Sequence, residues 1–179
     1  MRTIAAVLAC ALAMAQPAGL KIDPARTEVE FTLGSTLHTV HGTFALKRSS
    51  LQFDPVSGKI EGEVAIDATS GQSGDESRDK KMHKEILESA KYPEIVFRPD
   101  RVEGKLAPQG ASQVTLHGVL SIHGGEHEIT VPADVQAADG KYQAAAHFDI
   151  PYVQWGMKNP STFILRVDKS VAITVHTEL

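Results

Sequence analysis

Arg78-Asp79-Lys80-Lys81-Met82-His83-Lys84-Glu85-Ile86-Leu87-Glu88-Ser89-Ala90-Lys91-Tyr92-Pro93-Glu94-Ile95-Val96-Phe97 contains the one persuasive helix in a sequence that otherwise reads as strands. At about 100° per residue, Met82, His83, Ile86, Leu87 and Ala90 fall on one arc, while Lys80, Lys81, Lys84, Glu85, Glu88 and Lys91 fall on the other. The spacing predicts a helix that covers apolar surface with one face and meets water with the other. Ser73, at the head of a capping-box pattern through Glu76, or Ser77 is the expected N-cap. Tyr92-Pro93 is the expected stop, because proline disfavours helical angles in the preceding residue and has no N–H. Ile95 to Phe97 then restart as a strand. A single amphipathic helix set into strands reads as a lid or plug on a β-structure.

Outward from that helix the dominant period is two. Val29, Phe31 and Leu33 alternate with polar neighbours; so do Val40, Gly42, Phe44 and Leu46, then Leu51 and Phe53 on a short strand, then Ile60, Gly62, Val64 and Ile66. Beyond the helix, Val114 to Ile122 and Ile129 to Val135 alternate about a Gly124-Gly125 turn. Asp139-Gly140 turns the chain again into Tyr142, Ala144, Ala146, Phe148 and Ile150. Phe163, Leu165 and Val167, then Val171, Ile173 and Val175, read as two closing strands. Half-buried strands joined by hairpins in one domain, with no linker and no internal repeat, indicate an all-β fold of about eight antiparallel strands, a barrel or a sandwich.

Residues 1–15 stand apart from that pattern. Arg2, the apolar run Ile4–Met14 and the small-x-small site Ala13-Met14-Ala15 compose a secretory signal peptide, too short to span a bilayer. The folded domain is therefore expected over residues 16–179, in the periplasm or secreted. Val7-Leu8-Ala9-Cys10 loosely resembles a lipoprotein signal that would leave Cys10 acylated. Because the apolar run continues through Cys10, a passenger cysteine is the preferred reading. Cleavage after Ala15 leaves no cysteine, which excludes disulfides, thiol catalysis and thiolate metal sites. It also moves the net charge from −4 to −5 by removing Arg2 (17 basic against 22 acidic residues). Nothing in that balance suggests nucleic acid as a partner. No second apolar stretch is long enough for a membrane span.

Five segments in order resemble the YceI-like, polyisoprenoid-binding family: Ile22-Asp23-Pro24 leading into Val29-Glu30-Phe31, Gly42-Thr43-Phe44, the Arg78-Asp79 helix ending in Lys91-Tyr92-Pro93-Glu94-Ile95, Leu120-Ser121-Ile122-His123-Gly124, and the closing strand at Val171. The resemblance covers essentially the whole chain after the signal peptide. It implies a lipocalin-like antiparallel barrel with one amphipathic helix, whose interior holds a long-chain isoprenoid lipid of polyprenyl or quinone type. Two departures bear on polar contacts to a head group. Arg26-Thr27 stands where the family commonly has His-Ser, and Lys81-Met82 where it commonly has His-Leu.

Period alone does not separate a packed core from a cavity lining, because both alternate. The lining expected for a lipid site is Phe31, Phe44, Ile66, Phe97, Leu120 and Phe148, with Trp155 and Met157 at an entrance. Small residues at inward phases (Gly42, Gly62, Gly118, Ala144, Ala146) leave room for a ligand, although strand glycines also mark bulges. Arg78 and His83 are the candidates to meet a head group. Asp79, one turn before His83, is placed to fix its tautomer and thereby anchor the helix. His123 and His127 could offer a cross-strand pair but lack a third ligand at metal-site spacing, and with His117 they read as solvated surface histidines, so neither metal nor cofactor is expected. No Gly-x-Ser-x-Gly, His-Glu-x-x-His or phosphate-cradling loop is present, so the expectation is a binder rather than an enzyme. The alternative from another class is a secreted β-sandwich interaction domain without a ligand cavity. Pairing into a homodimer is left open, since no patch in the sequence demands it.

Overall fold

The computed structural model describes residues 18–178; the expected signal peptide and Cys10 lie outside them. Nine strands appear: β1 (Ala18–Leu20), β2 (Thr27–Leu33), β3 (Val40–Phe53), β4 (Ile60–Gln72), β5 (Glu94–Gly104), β6 (Gly110–Ile122), β7 (Gly125–Ala138), β8 (Lys141–Ile150) and β9 (Val171–Glu178). They run antiparallel in the order β1-β3-β2-β9-β8-β7-β6-β5-β4, and β3 also pairs with β4. That last pairing closes the sheet on itself, so β2–β9 form an eight-stranded barrel, with no second sheet among the described residues. The sandwich alternative is thereby replaced. β1 is an addition: β2 pairs with Val40–Phe44 of β3, and β1 pairs with Leu51–Phe53 further along.

β3 corrects the expectation of two separate strands. It runs unbroken for 14 residues. Between Leu46 and Arg48 its register against β4 advances two residues while β4, from Ile66 to Ala65, advances one. Such a bulge inserts one residue and flips every later side chain to the opposite face. The inward set therefore changes from Phe44 and Leu46 to Leu51 and Phe53, which reads in sequence as a break. The expected strand at Phe163–Val167 is not formed. Thr162 N–H donates to Leu165 O at 2.8 Å, making a turn there, and a single bridge joins Ser35 to Val167. Two of the small inward residues answer to backbone and not to ligand. A Cβ on Gly62 would collide with Ser50 O, and one on Gly118 with Arg98 O and Pro99. At Gly42 the space is taken by Gln72 O together with the Phe31 ring. Ala144 and Ala146 do face open space.

The barrel has two unlike ends. At one end the connections are tight: Asp139 and Gly140 both take positive φ, 52° and 77°, as a two-residue hairpin of right-handed-twisting strands requires. There Leu51, Phe53 and Ile60 pack with Leu20, Ile22 and Leu106, and Val114, Ala133 and Val135 extend the filling. The other end carries the long connections: residues 34–39, the helical segment, and residues 151–170. Its one short turn is built on His123 (φ 51°) and Gly124 (φ 76°), so Gly125 opens β7 and is not part of the turn.

The helix is shorter and differently ended than its periodicity suggests. α1 spans Glu76–Lys81, and Asp75, not Ser73 or Ser77, is the N-cap, its carboxylate accepting from Arg78 N–H at 2.8 Å. A π-helical turn follows over Met82–Ile86, with Leu87 N–H donating to Met82 O at 2.9 Å. Glu88 then takes φ 46° and ends the helix, four residues before Tyr92-Pro93. Ala90 is consequently exposed, while Met82, Ile86 and Leu87 turn inward.

Candidate functional site: an apolar cavity beneath the helix

The inward side chains do not meet across the barrel. They enclose a cavity of about 680 Å³ that runs from Ile22, Leu51 and Ala144 near the filled end to a mouth formed by residues 34–40, α1 and residues 160–167. Eight strands give an interior just wide enough either to be filled or to hold one slender ligand. Which of the two occurs depends on side-chain size, and here the wall mixes aromatic rings with alanines. Phe31, Phe44, Ile66, Phe97, Leu120, Phe148 and Met157 all lie on this wall. The register explains their convergence: Phe97 stands opposite Leu120, and Phe148 opposite Ile173. The Phe31 and Phe44 rings meet at 5.4 Å between centroids, a tilted pair that stiffens one side.

Trp155 is not on the wall, in contrast to its expected place at the entrance. Residues 151–157 make a tight turn in which Met157 N–H donates to Tyr152 O and Trp155 N–H to Pro151 O, both at 3.1 Å. This sends Tyr152 and Met157 into the interior, where both are buried, and leaves Trp155 stacked on the His127 ring, centroids 4.0 Å apart and planes within 3°. Tyr152 is a lining residue the sequence reading passed over. Its hydroxyl donates to Asp168 O at 2.7 Å, and burial, then the nearby Asp168 charge, push its phenol up to about 12. It therefore stays neutral and ties residues 151–157 to 168. The signal available in sequence was a tyrosine directly after Ile150-Pro151, at the end of an inward-facing series.

Apart from Thr27 and Thr177, which pair at 2.7 Å near the filled end, and the Tyr152 hydroxyl, polar groups gather at the mouth. Ser35, His38, Ser73, Ser77, Arg78 and Lys81 line it. Lys81, assigned by helical period to the wet face, is brought to the cavity because the mouth opens beside α1. Arg78 is oriented by Ser73, donating from Nε to Ser73 Oγ at 2.8 Å and from Nη2 to Ser73 O at 3.2 Å. The expected Asp79–His83 pair does not form. Asp79 accepts from Ser73 N–H at 2.9 Å and from the Ser73 hydroxyl, while His83 Nε2 donates to Gly71 O at 2.8 Å and Nδ1 accepts from Ser89 Oγ at 3.0 Å. With both ring nitrogens engaged below the helix, His83 anchors it to β4 and does not line the cavity.

The other histidines are less solvated than expected. His117 lies 3.3 Å from Glu103, and His123 donates to Glu88 at 2.7 Å while its ring rests 4.9 Å from that of Tyr92. His127 stands opposite Leu120 and so has the inward phase, beneath Trp155. Among the described residues no three ligand-type side chains converge as a metal site would require. No helix of the described residues is long and apolar enough to cross a membrane.

A closed antiparallel barrel with a helix over an apolar cavity defines a lipocalin-like architecture. The YceI-like domain model matches residues 20–179, and the chain belongs to that family. Solved structures of the same fold include BcnA from Burkholderia cenocepacia (20% identity, TM-score 0.70, covering 88% of this chain and 99% of that one). A polyisoprenoid binding domain from Saccharophagus degradans, implicated in plant cell wall breakdown, aligns at 16% identity and TM-score 0.71, covering 91% of this chain and 98% of that one. The Campylobacter jejuni YCEI protein aligns at 20% identity and TM-score 0.64, covering 80% and 86%. No curated protein matches the chain.

Proposed function

We infer that this protein is an exported, non-enzymatic binder or carrier of a long-chain isoprenoid lipid, of polyprenyl or quinone type, held with its hydrocarbon tail in the barrel. The carrying observation is the cavity itself: walled mainly by apolar side chains along its length, with its charged groups at the mouth alone. Each buried methylene is favourable by about 0.8 kcal/mol, so a tail of several isoprene units supplies a large gross driving force without specific polar contacts. Membership of the YceI-like family and the fold shared with a polyisoprenoid binding domain support this reading over an enzyme. The leader-like residues 1–15 support export to the periplasm or beyond.

Within this reading the head group rests at the mouth against Arg78 and Lys81. A guanidinium already held in place by Ser73 loses little freedom on engaging a phosphate or a quinone carbonyl. The test is mass spectrometry of protein purified under native conditions. A stoichiometric isoprenoid, displaced by added polyprenyl phosphate, is expected; protein that neither carries nor takes up such a lipid sinks the proposal. Arg78→Ala should weaken a polyprenyl phosphate about tenfold and leave the free alcohol unaffected.

A further inference from the structure

Four large apolar side chains are conspicuously exposed among the described residues, and three of them stand together at the cavity mouth. Phe163 is 95% exposed, Ile164 81% and Leu37 68%. Phe163 and Ile164 are the two tip residues of the Thr162–Leu165 turn, which is fixed from both sides because Leu165 N–H also donates to Thr162 Oγ1 at 3.0 Å. Leu37 is held beside them: Thr36 N–H donates to Arg166 O at 2.9 Å and Arg166 N–H to Thr36 Oγ1 at 3.2 Å. The same two loops line the mouth through Ser35, His38, Leu165 and Val167. Apolar tips and lipid entrance are therefore one structure. Exposed apolar groups clustered on rigid turns mark a contact surface.

The charge around these tips differs from that of the chain. The net charge is −4, yet Arg78, Lys80, Lys81, Lys84 and Arg166 on the mouth elements have no ion-pair partner among the described residues. Of the acids on those elements, Asp75 and Asp79 are turned to the helix cap and to Ser73, Glu85 is paired with Lys158 and Glu88 with His123, leaving Glu76 and Asp168. Aromatic and aliphatic tips surrounded by free cations suit an anionic bilayer, whose surface attracts basic residues while its interface takes up the apolar ones.

We propose that Leu37, Phe163 and Ile164 dock the barrel mouth onto an anionic lipid bilayer, so that a hydrocarbon tail passes between membrane and cavity without crossing water. Leu37, Phe163 and Ile164 themselves do not line the cavity, and the transfer role rests on the lipid-binding reading above.

Cosedimentation with vesicles of phosphatidylglycerol and phosphatidylcholine in equal parts, and of phosphatidylcholine alone, tests it. The protein should bind the mixed vesicles at least tenfold more tightly than the neutral ones. Binding should fall further with added salt. A Leu37→Ser, Phe163→Ser, Ile164→Ser variant should lose at least tenfold while taking up polyprenyl phosphate from detergent with unchanged affinity. Equal vesicle binding by the two proteins, or none by the parent, overturns the proposal. So does a concentration-dependent dimer that the triple substitution dissolves, because the tips would then serve a second copy of the chain. Docking without any lipid uptake refutes the cavity reading alone; uptake without docking refutes this one alone. Since all three residues are exposed, an unchanged circular dichroism spectrum and melting midpoint certify the variant's fold.

Discussion

The two ends of the barrel are made by the same eight strands and the same alternation, yet one is solid and the other hollow. At the solid end the chain turns in two residues at Asp139–Gly140, and Leu51, Phe53 and Ile60 fill the interior. At the hollow end it turns through long connections, and Phe97, Phe148 and Met157 look onto open space. The difference arises from the β3 bulge, which aims large residues inward beyond Leu46, and from alanines at 144 and 146 where bulk would have closed the bore. Alternation builds the wall; side-chain volume and connection length decide whether anything fits within it.

Truncating one residue type at each end tests that contrast most directly. Phe53→Ala should cost about 3–5 kcal/mol in denaturant unfolding, the usual range for an aromatic ring in a packed core. Phe148→Ala should cost roughly half as much, because a ring already facing a void has fewer contacts to lose. Equal losses would mean that the two ends are packed alike. The bore can also be filled deliberately, from the part of its wall that borders the packed end. Ala146→Phe should lower affinity for a polyprenyl lipid at least 100-fold, about 3 kcal/mol, with no loss of thermal stability. Lipid uptake undiminished by that ring would place the ligand elsewhere.

The wall was legible in the sequence because period two is a property of the backbone. Phe31, Phe44, Ile66, Phe97, Leu120 and Phe148 follow from parity and lie together on the cavity. Parity gave no warning where the backbone departs from it. The bulge divided β3 in the reading, and the π-turn carried His83 off the arc it shares with Met82 in an ideal helix. Trp155 and Tyr152 illustrate a second limit. In an irregular segment the facing of a side chain is set by tertiary hydrogen bonds, here Tyr152 to Asp168, and no local pattern anticipates them. Lys81 illustrates a third, since a mouth opening beside a helix recruits residues from its wet face.

Tyr152 joins the hollow end to the loop that carries the mouth, and removing its hydroxyl should matter less than removing a ring. Tyr152→Phe should destabilise by about 1 kcal/mol, the usual net value of one hydrogen bond. The phenol's ordinary value is 10 and folding raises it to about 12, so the neutral form is the one the fold favours. The stability it contributes is complete below about pH 10 and declines as pH rises towards 12. In the parent a phenolate absorbance step should be seen near pH 12 that is missing in the variant; a step near 10 would mean the hydroxyl is not held.

The smallest effect is expected on the outer surface, at the level where the bulge separates the two ends. There Arg48, one residue past the inserted position, donates to Glu94 from Nη1 at 2.6 Å and Nη2 at 3.0 Å, and from Nε to Glu63 at 3.0 Å, tying β3 to β5 and β4. Lys47 Nζ adds a contact to Glu94 at 3.0 Å. These bonds, Arg48's first and Lys47's second, lower the Glu94 carboxyl from 4.5 to about 2. A depressed carboxylate stabilises the fold above its unfolded value, and that contribution is lost as pH falls from about 4.5 towards 2. The groups are solvated and screened, so the loss should be slight and weaker still at high salt. Glu94→Gln should flatten the acid limb of the stability profile over that window and leave lipid affinity unchanged. If the substitution instead altered lipid uptake, the outer clamp would be setting the width of the bore, and the bulge would control the hollow end as well as the solid one.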